Sequence, residues 1–108
     1  MYRYENLLYL RYVMTKKDIK EEIRRIKPFL SKEYFVKDIG LFGSFISGDQ
    51  TENSDIDLLV EFEKPIGWKF FSLEEYLENI FGRKIDLVTK KSLKKQLRTS
   101  ILNQIEYV

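Results

Sequence analysis

The sequence contains neither cysteine nor histidine among its 108 residues. Disulfide bonds and thiolate metal sites are therefore excluded, and so is a histidine general base. A bound metal ion would need oxygen ligands, which favours Mg²⁺, Mn²⁺ or Ca²⁺ over Zn²⁺. No apolar run approaches the roughly 18 residues of a membrane span, so we expect a cytoplasmic protein with no membrane partner. A formal net charge of only +2 gives no sign of a nucleic-acid partner.

The composition is that of a folded protein with few chain-breaking residues, since it has five glycines and two prolines. A hydrophobic share of 44% and a charged share of 33% predict one domain with a single core, spanning residues 1–108. Residues 1–13, MYRYENLLYLRYV, carry four tyrosines and three leucines and form a possible N-terminal extension. A second methionine, Met14, follows them and is an alternative natural start.

Hydrophobic periodicity predicts helices interspersed with strands. The first helix is predicted from Thr15 to about Leu30, with Thr15 and Asp18 as a capping box and Pro28 as a kink or an end. The later predicted elements are strands at 35–42, 55–62 and 84–89, a helix at 70–81, and a final helical stretch with apolar residues at 93, 97, 101 and 105. The predicted fold class is therefore α+β, with a short sheet covered by helices.

Three aspartates interrupt the apolar strands. Asp55 and Asp57 are two residues apart in a strand, so their side chains project to the same face. Two ionised carboxylates side by side repel each other unless a cation lies between them, which predicts one or two divalent metal ions. Asp86 repeats the pattern in the third strand. If the third strand lies beside the second, Asp86 completes the cluster, ligating one metal and helping to remove a proton from an attacking hydroxyl.

The Gly43-Ser44 step follows the first strand and precedes a short segment that ends at Gly48. Glycine permits a tight turn and a close approach of the backbone. The amides at the start of the next helical turn can bind phosphate, and Ser44 adds a hydroxyl. This turn is therefore predicted to hold the triphosphate that faces the carboxylates.

These motifs together resemble a known family. Gly43-Ser44, ten intervening residues, and then Asp55-x-Asp57 before an apolar run are similar to the signature of the DNA polymerase β-like nucleotidyltransferase superfamily. The small size and the segments SDIDLLV and RKIDLVT resemble its minimal nucleotidyltransferase (MNT) branch. The resemblance covers roughly residues 39–89, with a weaker match in the closing segment SILNQIEYV.

The resemblance implies a mixed sheet with flanking helices, and transfer of a nucleotidyl group from a nucleoside triphosphate with Mg²⁺. Carried over residue by residue, it implies that Gly43 and Ser44 bind phosphate. It also implies that Asp55, Asp57 and Asp86 bind the metal, with two Mg²⁺ ions possible and ATP as the substrate.

The resemblance also implies a partner. Many MNT proteins are antitoxins of HEPN ribonucleases encoded beside them, and some transfer AMP from ATP to a tyrosine of that toxin.

This chain departs from the family at Ile46 and Ser47, where an alanine-arginine pair is common. A catalytically weak module that neutralises its toxin by complex formation is therefore the alternative. A small-molecule-modifying enzyme would normally need a further domain. Homo- or hetero-oligomers remain open.

The C-terminal region carries an apolar stripe and a basic cluster. The stripe, Leu93, Leu97, Ile101 and Ile105, is predicted to belong to the core rather than to a partner groove. The basic cluster is interpreted as a solvated helix face, with an acidic partner or RNA as the alternative. It consists of Lys90, Lys91, Lys94, Lys95 and Arg98.

Overall fold

The structure, a computed structural model, describes residues 14–108, and the possible extension at residues 1–13 lies outside the described residues. The elements are α1 (Lys16–Tyr34), β1 (Val36–Phe42), α2 (Ser44–Ser47), β2 (Ile56–Phe62), α3 (Lys69–Phe81), β3 (Ile85–Val88), a 3₁₀ turn (Lys90–Ser92), α4 (Lys95–Gln104) and β4 (Glu106–Tyr107). The three predicted strands and the predicted helix at 70–81 agree with these bounds to within one residue. No helix in residues 14–108 is long and apolar enough to cross a membrane.

Helix α1 begins at the predicted capping box, in which the Asp18 N–H donates to the Thr15 hydroxyl and the Thr15 N–H donates to the Asp18 carboxylate, at 3.3 and 3.0 Å. The prediction that Pro28 ends this helix is wrong, because α1 continues to Tyr34. Pro28 has no N–H, so one carbonyl of the preceding turn lacks its usual donor. Because Pro28 is exposed, water can reach that carbonyl, and the buried Leu30 anchors the next turn of the helix. The buried stripe of α1 is Ile19, Ile23, Ile26 and Leu30.

The four strands form one mixed sheet in the order β3-β2-β1-β4. Strand β1 is antiparallel to both β2 and β4, whereas β2 and β3 are parallel. The parallel pairing confirms that the third predicted strand lies beside the second. The α+β fold class, a small mixed sheet flanked by helices, is confirmed.

The two faces of the sheet have different surroundings. Successive residues of a strand point to opposite faces, so Ile56, Leu58 and Val60 of β2 enter the main core, where they pack with residues of α1 and α3. Asp57 and Leu59 therefore lie on the second face of the sheet. The candidate site is built on this second face.

The C-terminal region differs most from the prediction. The final helical stretch is only ten residues long as α4, and Ile105 leaves the helix with extended backbone angles. The Ile105 side chain covers Gly40 of β1, where an added Cβ would lie 2.6 Å from Ile105 Cδ1. Because Gly40 has no side chain, the chain can approach β1 closely and add β4 to the edge of the sheet.

The prediction that the apolar stripe of this region belongs to the core is wrong. None of its four residues is buried, and the Leu97 side chain is 54% exposed. Helical spacing reveals an amphipathic helix but does not say what covers the apolar side. In α4 the described residues leave that side largely uncovered.

Candidate functional site

The parallel pairing of β2 and β3 brings two of the predicted aspartates together. Asp57 lies directly beside Asp86 in the register of the two strands, and neighbouring strands are about 4.8 Å apart. Asp55 is the second residue before Asp57 and immediately precedes β2, so its charge also acts on Asp57. The structure thus places Asp57 and Asp86 side by side at one end of the second face, with Asp55 near enough for its charge to act on Asp57.

The electrostatics of this cluster centre on Asp57, which is half-buried. Burial raises the pKa of the Asp57 carboxyl to about 6, with further contributions from the charge of Asp86, hydrogen bonding to Asp86 and the charge of Asp55. Without a cation, Asp57 therefore keeps its proton up to about pH 6, whereas an isolated aspartate has released it near pH 3.8. A raised pKa of this kind is expected where carboxylates lie close together and bind a cation.

Gly43 joins the phosphate turn to this cluster. It follows β1, whose residue Phe42 pairs with Asp57 across the sheet. Its φ of 78° lies in the left-handed region, and an added Cβ would come within 2.0 Å of Asp57 Oδ2. Both the backbone angle and the missing side chain are therefore required for the turn to lie against the carboxylate. The turn and the carboxylate belong to one site.

The turn continues directly into the short helix α2. The N–H groups of Ile46 and Ser47 donate to the Gly43 carbonyl, each at 3.0 Å. The N–H groups of Ser44 and Phe45 come first in the helix, so they have no intrahelical acceptor. Together with the half-exposed Ser44 hydroxyl, these amides are suited to an oxyanion such as phosphate.

Gln104 is a residue of this site that sequence reasoning missed. The Gly43 N–H donates a hydrogen bond of 3.3 Å to Gln104 Oε1, across 61 positions of sequence. Gln104 is the last residue of α4, and Ile105 holds the following segment against Gly40. The available signal was the weaker family resemblance of the closing segment SILNQIEYV, which did not single out Gln104 because its role depends on where that segment docks.

Arg83 is a second residue that the sequence analysis did not identify. It donates hydrogen bonds to the carbonyls of Thr51 and Ser54, at 3.2 and 2.9 Å. Its guanidinium carbon lies 5.5 Å from the centre of the Phe45 ring in α2. Arg83 therefore braces the loop that leads to Asp55 and also contacts the helix of the phosphate turn. The sequence signal that could have identified Arg83 is its position in RKIDLVT, the segment that resembles the family and that also contains a site aspartate.

Metal binding at the site depends on the chemistry of the donors. Within residues 14–108, no three Asp, Glu, His or Cys side chains already converge as metal ligands. The three aspartates nevertheless fit an oxygen-ligated divalent ion, since they are the ligand type that Mg²⁺ prefers. The pKa of Asp57 is raised first by burial and then by its neighbours Asp86 and Asp55, whose negative charges repel its ionised form. A divalent cation would relieve that repulsion.

The departure at Ile46 and Ser47 has a local structural basis. Ile46 packs partly against the core, and the exposed Ser47 hydroxyl donates to Asp49 Oδ2 at 3.0 Å. The positions at which the family resemblance leads us to expect alanine and arginine are therefore filled by a packing residue and a loop-stabilising hydroxyl. Neither one contributes positive charge to the turn.

Comparisons with known proteins agree with the geometry. Residues 16–108 match the family described as nucleotidyltransferase domain. A Methanocaldococcus jannaschii protein named as a candidate protein adenylyltransferase is 52% identical over 80 residues, which cover 73% of this chain and 93% of that protein. The protein adenylyltransferase MntA of Thermococcus cleftensis is 40% identical over 97 residues, covering 89% of this chain and 98% of that protein.

Solved structures give the same result. A structure described as a candidate minimal nucleotidyltransferase superposes with a TM-score of 0.73 at 25% identity, covering 87% of this chain and 96% of the other. A chain of a toxin-antitoxin complex with AMP-PNP superposes with a TM-score of 0.64 at 28% identity, covering 80% of this chain and 70% of the other. The resemblance inferred from the Gly43-Ser44 and Asp55-x-Asp57 motifs is thereby confirmed.

Proposed function

Because the chain belongs to the nucleotidyltransferase domain family, we propose that it transfers AMP from ATP to a hydroxyl group of a partner protein, with Mg²⁺. The nucleotidyltransferase class itself is confirmed by the family match and by relatives 40% and 52% identical that are named as protein adenylyltransferases. The observation that carries the proposal is the pairing of Asp57 with Asp86 beside the Gly43 turn. A similar chain in a toxin-antitoxin complex with AMP-PNP supports ATP as the substrate.

In this proposal the carboxylates and the turn have separate roles. Asp55, Asp57 and Asp86 hold Mg²⁺, which when bound neutralises phosphate charge and lowers the barrier to displacement at phosphorus. The amides that follow Gly43, together with the Ser44 hydroxyl, hold the β- and γ-phosphates of ATP, which leave as pyrophosphate. The bound nucleotide is thus fixed between the turn and the second face of the sheet.

The transfer step has a defined balance of bonds and protons. The acceptor hydroxyl oxygen forms a bond to the α-phosphorus of ATP, and the bond from that phosphorus to the oxygen of the β-phosphate breaks. Pyrophosphate leaves from the Gly43-Ser44 turn. Asp86 is exposed, so it can reach an incoming hydroxyl and accept its proton.

The proposed acceptor is a tyrosine of a HEPN ribonuclease toxin encoded beside this chain, so the biological role would be that of an antitoxin. Similarity to a chain of a toxin-antitoxin complex supports this partner. Neutralisation by complex formation alone is the second candidate. The absence of positive charge at Ile46 and Ser47 favours it, because an arginine there would have supported the phosphates.

The reaction type can be tested with ATP labelled at either the α- or the γ-phosphate. The HEPN protein encoded beside this chain, purified and mixed with Mg²⁺, should acquire the α-label and not the γ-label. Asp57→Asn should abolish labelling. Glu61→Gln is the matched control, since Glu61 is an exposed carboxylate on the same strand and face but away from Asp86, and it should label normally. Transfer of the γ-label, or no label at all with the wild type, would refute the proposal.

Metal and nucleotide binding can be tested without a partner. Calorimetry of the wild type should show tighter ATP binding with Mg²⁺ or Mn²⁺ than with EDTA. The double variant Asp55→Asn/Asp57→Asn should lose that metal dependence. Equal ATP binding by both proteins, with and without metal, would remove the carboxylates from the site.

A further inference from the structure

The segment from Thr89 to Gln104 has an unusual charge. It contains five lysine or arginine residues and no aspartate or glutamate. The chain as a whole has a formal net charge of +2, so the rest of the sequence carries −3. The positive excess of this protein is therefore concentrated in the 3₁₀ turn and α4. Such asymmetry is a signal of interaction with a negatively charged partner.

The cations of this segment form no ion pairs within the described part of the protein, and Arg98 donates a hydrogen bond of 3.5 Å to the Leu93 carbonyl. Lys90, Lys91, Lys94, Lys95 and Arg98 are all exposed, and none forms a salt bridge with a described residue. Helix α1, by contrast, has acidic residues among its basic ones and contains two internal ion pairs. The positive charges of α4 therefore have no nearby negative charges to balance them, unlike those of α1.

Apolar side chains lie among these charges. Residues three and four apart share a helix face, so Lys94, Leu97, Arg98 and Ile101 form one continuous patch, here called the α4 patch. Helix α4 contains no buried residue, and the Leu97 side chain is 54% exposed. The patch thus combines an uncovered leucine with two flanking cations, an arrangement that matches the apolar centre and polar rim of a protein interface.

The α4 patch is tied to the proposed site by its own helix. Gln104, at the end of α4, accepts the hydrogen bond from the Gly43 N–H. At its other end the helix follows β3, which carries Asp86. A molecule bound along α4 would therefore lie beside the site at which the acceptor hydroxyl must arrive.

We propose that the α4 patch is the docking surface for the acceptor protein, which would present an acidic surface with an apolar centre. The inference rests on the proposed function, in which the acceptor is a protein. A protein is favoured over RNA because single-stranded nucleic acids bind basic surfaces that carry aromatic stacking platforms. The segment from Thr89 to Gln104 contains no aromatic residue, and its uncovered side chain is an aliphatic one, Leu97.

The test measures equilibrium binding of the purified HEPN protein encoded beside this chain, as a function of salt. Lys94→Glu/Arg98→Glu should weaken binding about 10- to 100-fold at low salt and flatten the salt dependence. Leu97→Ala should weaken it about 5- to 30-fold at any salt, because the loss is of apolar contact. Arg24→Glu/Lys32→Glu, an equal change of charge at exposed positions of α1, should stay within about twofold of the wild type.

Two further measurements separate this inference from the function it rests on. ATP binding with Mg²⁺ should be unchanged in all three variants, which shows that the proposed site is intact. Wild-type affinity for the HEPN protein in both α4 variants would overturn the docking surface, even if AMP transfer occurs. Loss of affinity in those variants, with no AMP transfer by the wild type, would support the docking surface and refute the proposed function. A single-stranded RNA that binds the wild type through Lys94 and Arg98, with affinity for the HEPN protein unaffected, would also overturn it.

Discussion

Replacing Asp57 by asparagine should stabilise the metal-free protein while abolishing its activity. The pKa of Asp57 is raised from 3.8 to about 6 by burial and by the neighbouring Asp86 and Asp55, so folding at neutral pH forces an unfavourable charge into the cluster. The difference corresponds to roughly 3 kcal/mol. Since Asp57 is only half-buried, solvent screening reduces the expected gain to about 1–2 kcal/mol. Asparagine keeps the size of the side chain, so the close contact with Gly43 is preserved.

The sign of the pH dependence follows from the raised pKa. The favourable contribution of a protonated Asp57 is fully present below about pH 4 and is lost as pH rises through about 6. The stability difference between Asp57→Asn and the wild type should therefore be close to zero at pH 4 and reach its maximum above pH 7. Thermal unfolding followed by circular dichroism measures it, and the gain in Tm at pH 8 should be about 5–15 °C for a domain of this size.

Magnesium should stabilise the wild type more than the Asp57→Asn variant. Saturating Mg²⁺ relieves the repulsion around Asp57 in the wild type and should raise its Tm, with little effect on Asp57→Asn. Glu61→Gln is the control for the loss of one carboxylate from the same strand, and it should match the wild type at every pH. A wild type that is more stable than Asp57→Asn at pH 8, or a difference that does not change between pH 4 and pH 8, would refute this account of the cluster.

Substitutions at three further positions test the other parts of the site. Asp86→Asn should reduce AMP transfer about 10²- to 10⁴-fold while leaving substantial ATP binding, and near-normal transfer would remove Asp86 from the mechanism. Gly43→Ala should abolish ATP binding and lower the Tm, because the new Cβ would lie 2.0 Å from Asp57 Oδ2 at a φ of 78°; ATP binding like that of the wild type would contradict the close packing of turn and strand. Gln104→Ala should raise the KM for ATP about 2- to 13-fold through the lost acceptor of the Gly43 N–H. Gln104→Glu should raise that KM further through repulsion of the phosphates, whereas rescue by glutamate would indicate a purely structural role.

The position of Asp57 beside Asp86 was predictable because both residues break the hydrophobic pattern. Asp57 and Asp86 are charged residues within apolar strands, and such residues are retained only where a partner or ligand compensates for burial. Their spacing relative to Gly43 then identified the family. The pairing of β2 with β3, which brings the two aspartates together, was an inference from this chemistry and is confirmed by the register.

The parts that could not be predicted depend on tertiary contacts. The consequence of Pro28 was overestimated, since the packing of Leu30 carries α1 past it. Strand β4 is two residues long, too short for a periodic signal, and it forms because Gly40 leaves room for Ile105. Periodicity likewise marks the stripe of α4 as apolar but cannot distinguish a core face from a face that awaits a partner.

The most direct test of the proposed function is the intact mass of the HEPN toxin that we propose as the acceptor. After incubation with the wild type, ATP and Mg²⁺, its mass should increase by one or more AMP units of roughly 329 Da each, since a covalent bond is formed. The ribonuclease should stay inactive after this protein is removed. Asp55→Asn/Asp57→Asn should still bind the partner through the unchanged α4 patch but add no mass. No added mass with the wild type, together with equal neutralisation by the double variant, would contradict enzymatic transfer and establish neutralisation by binding alone.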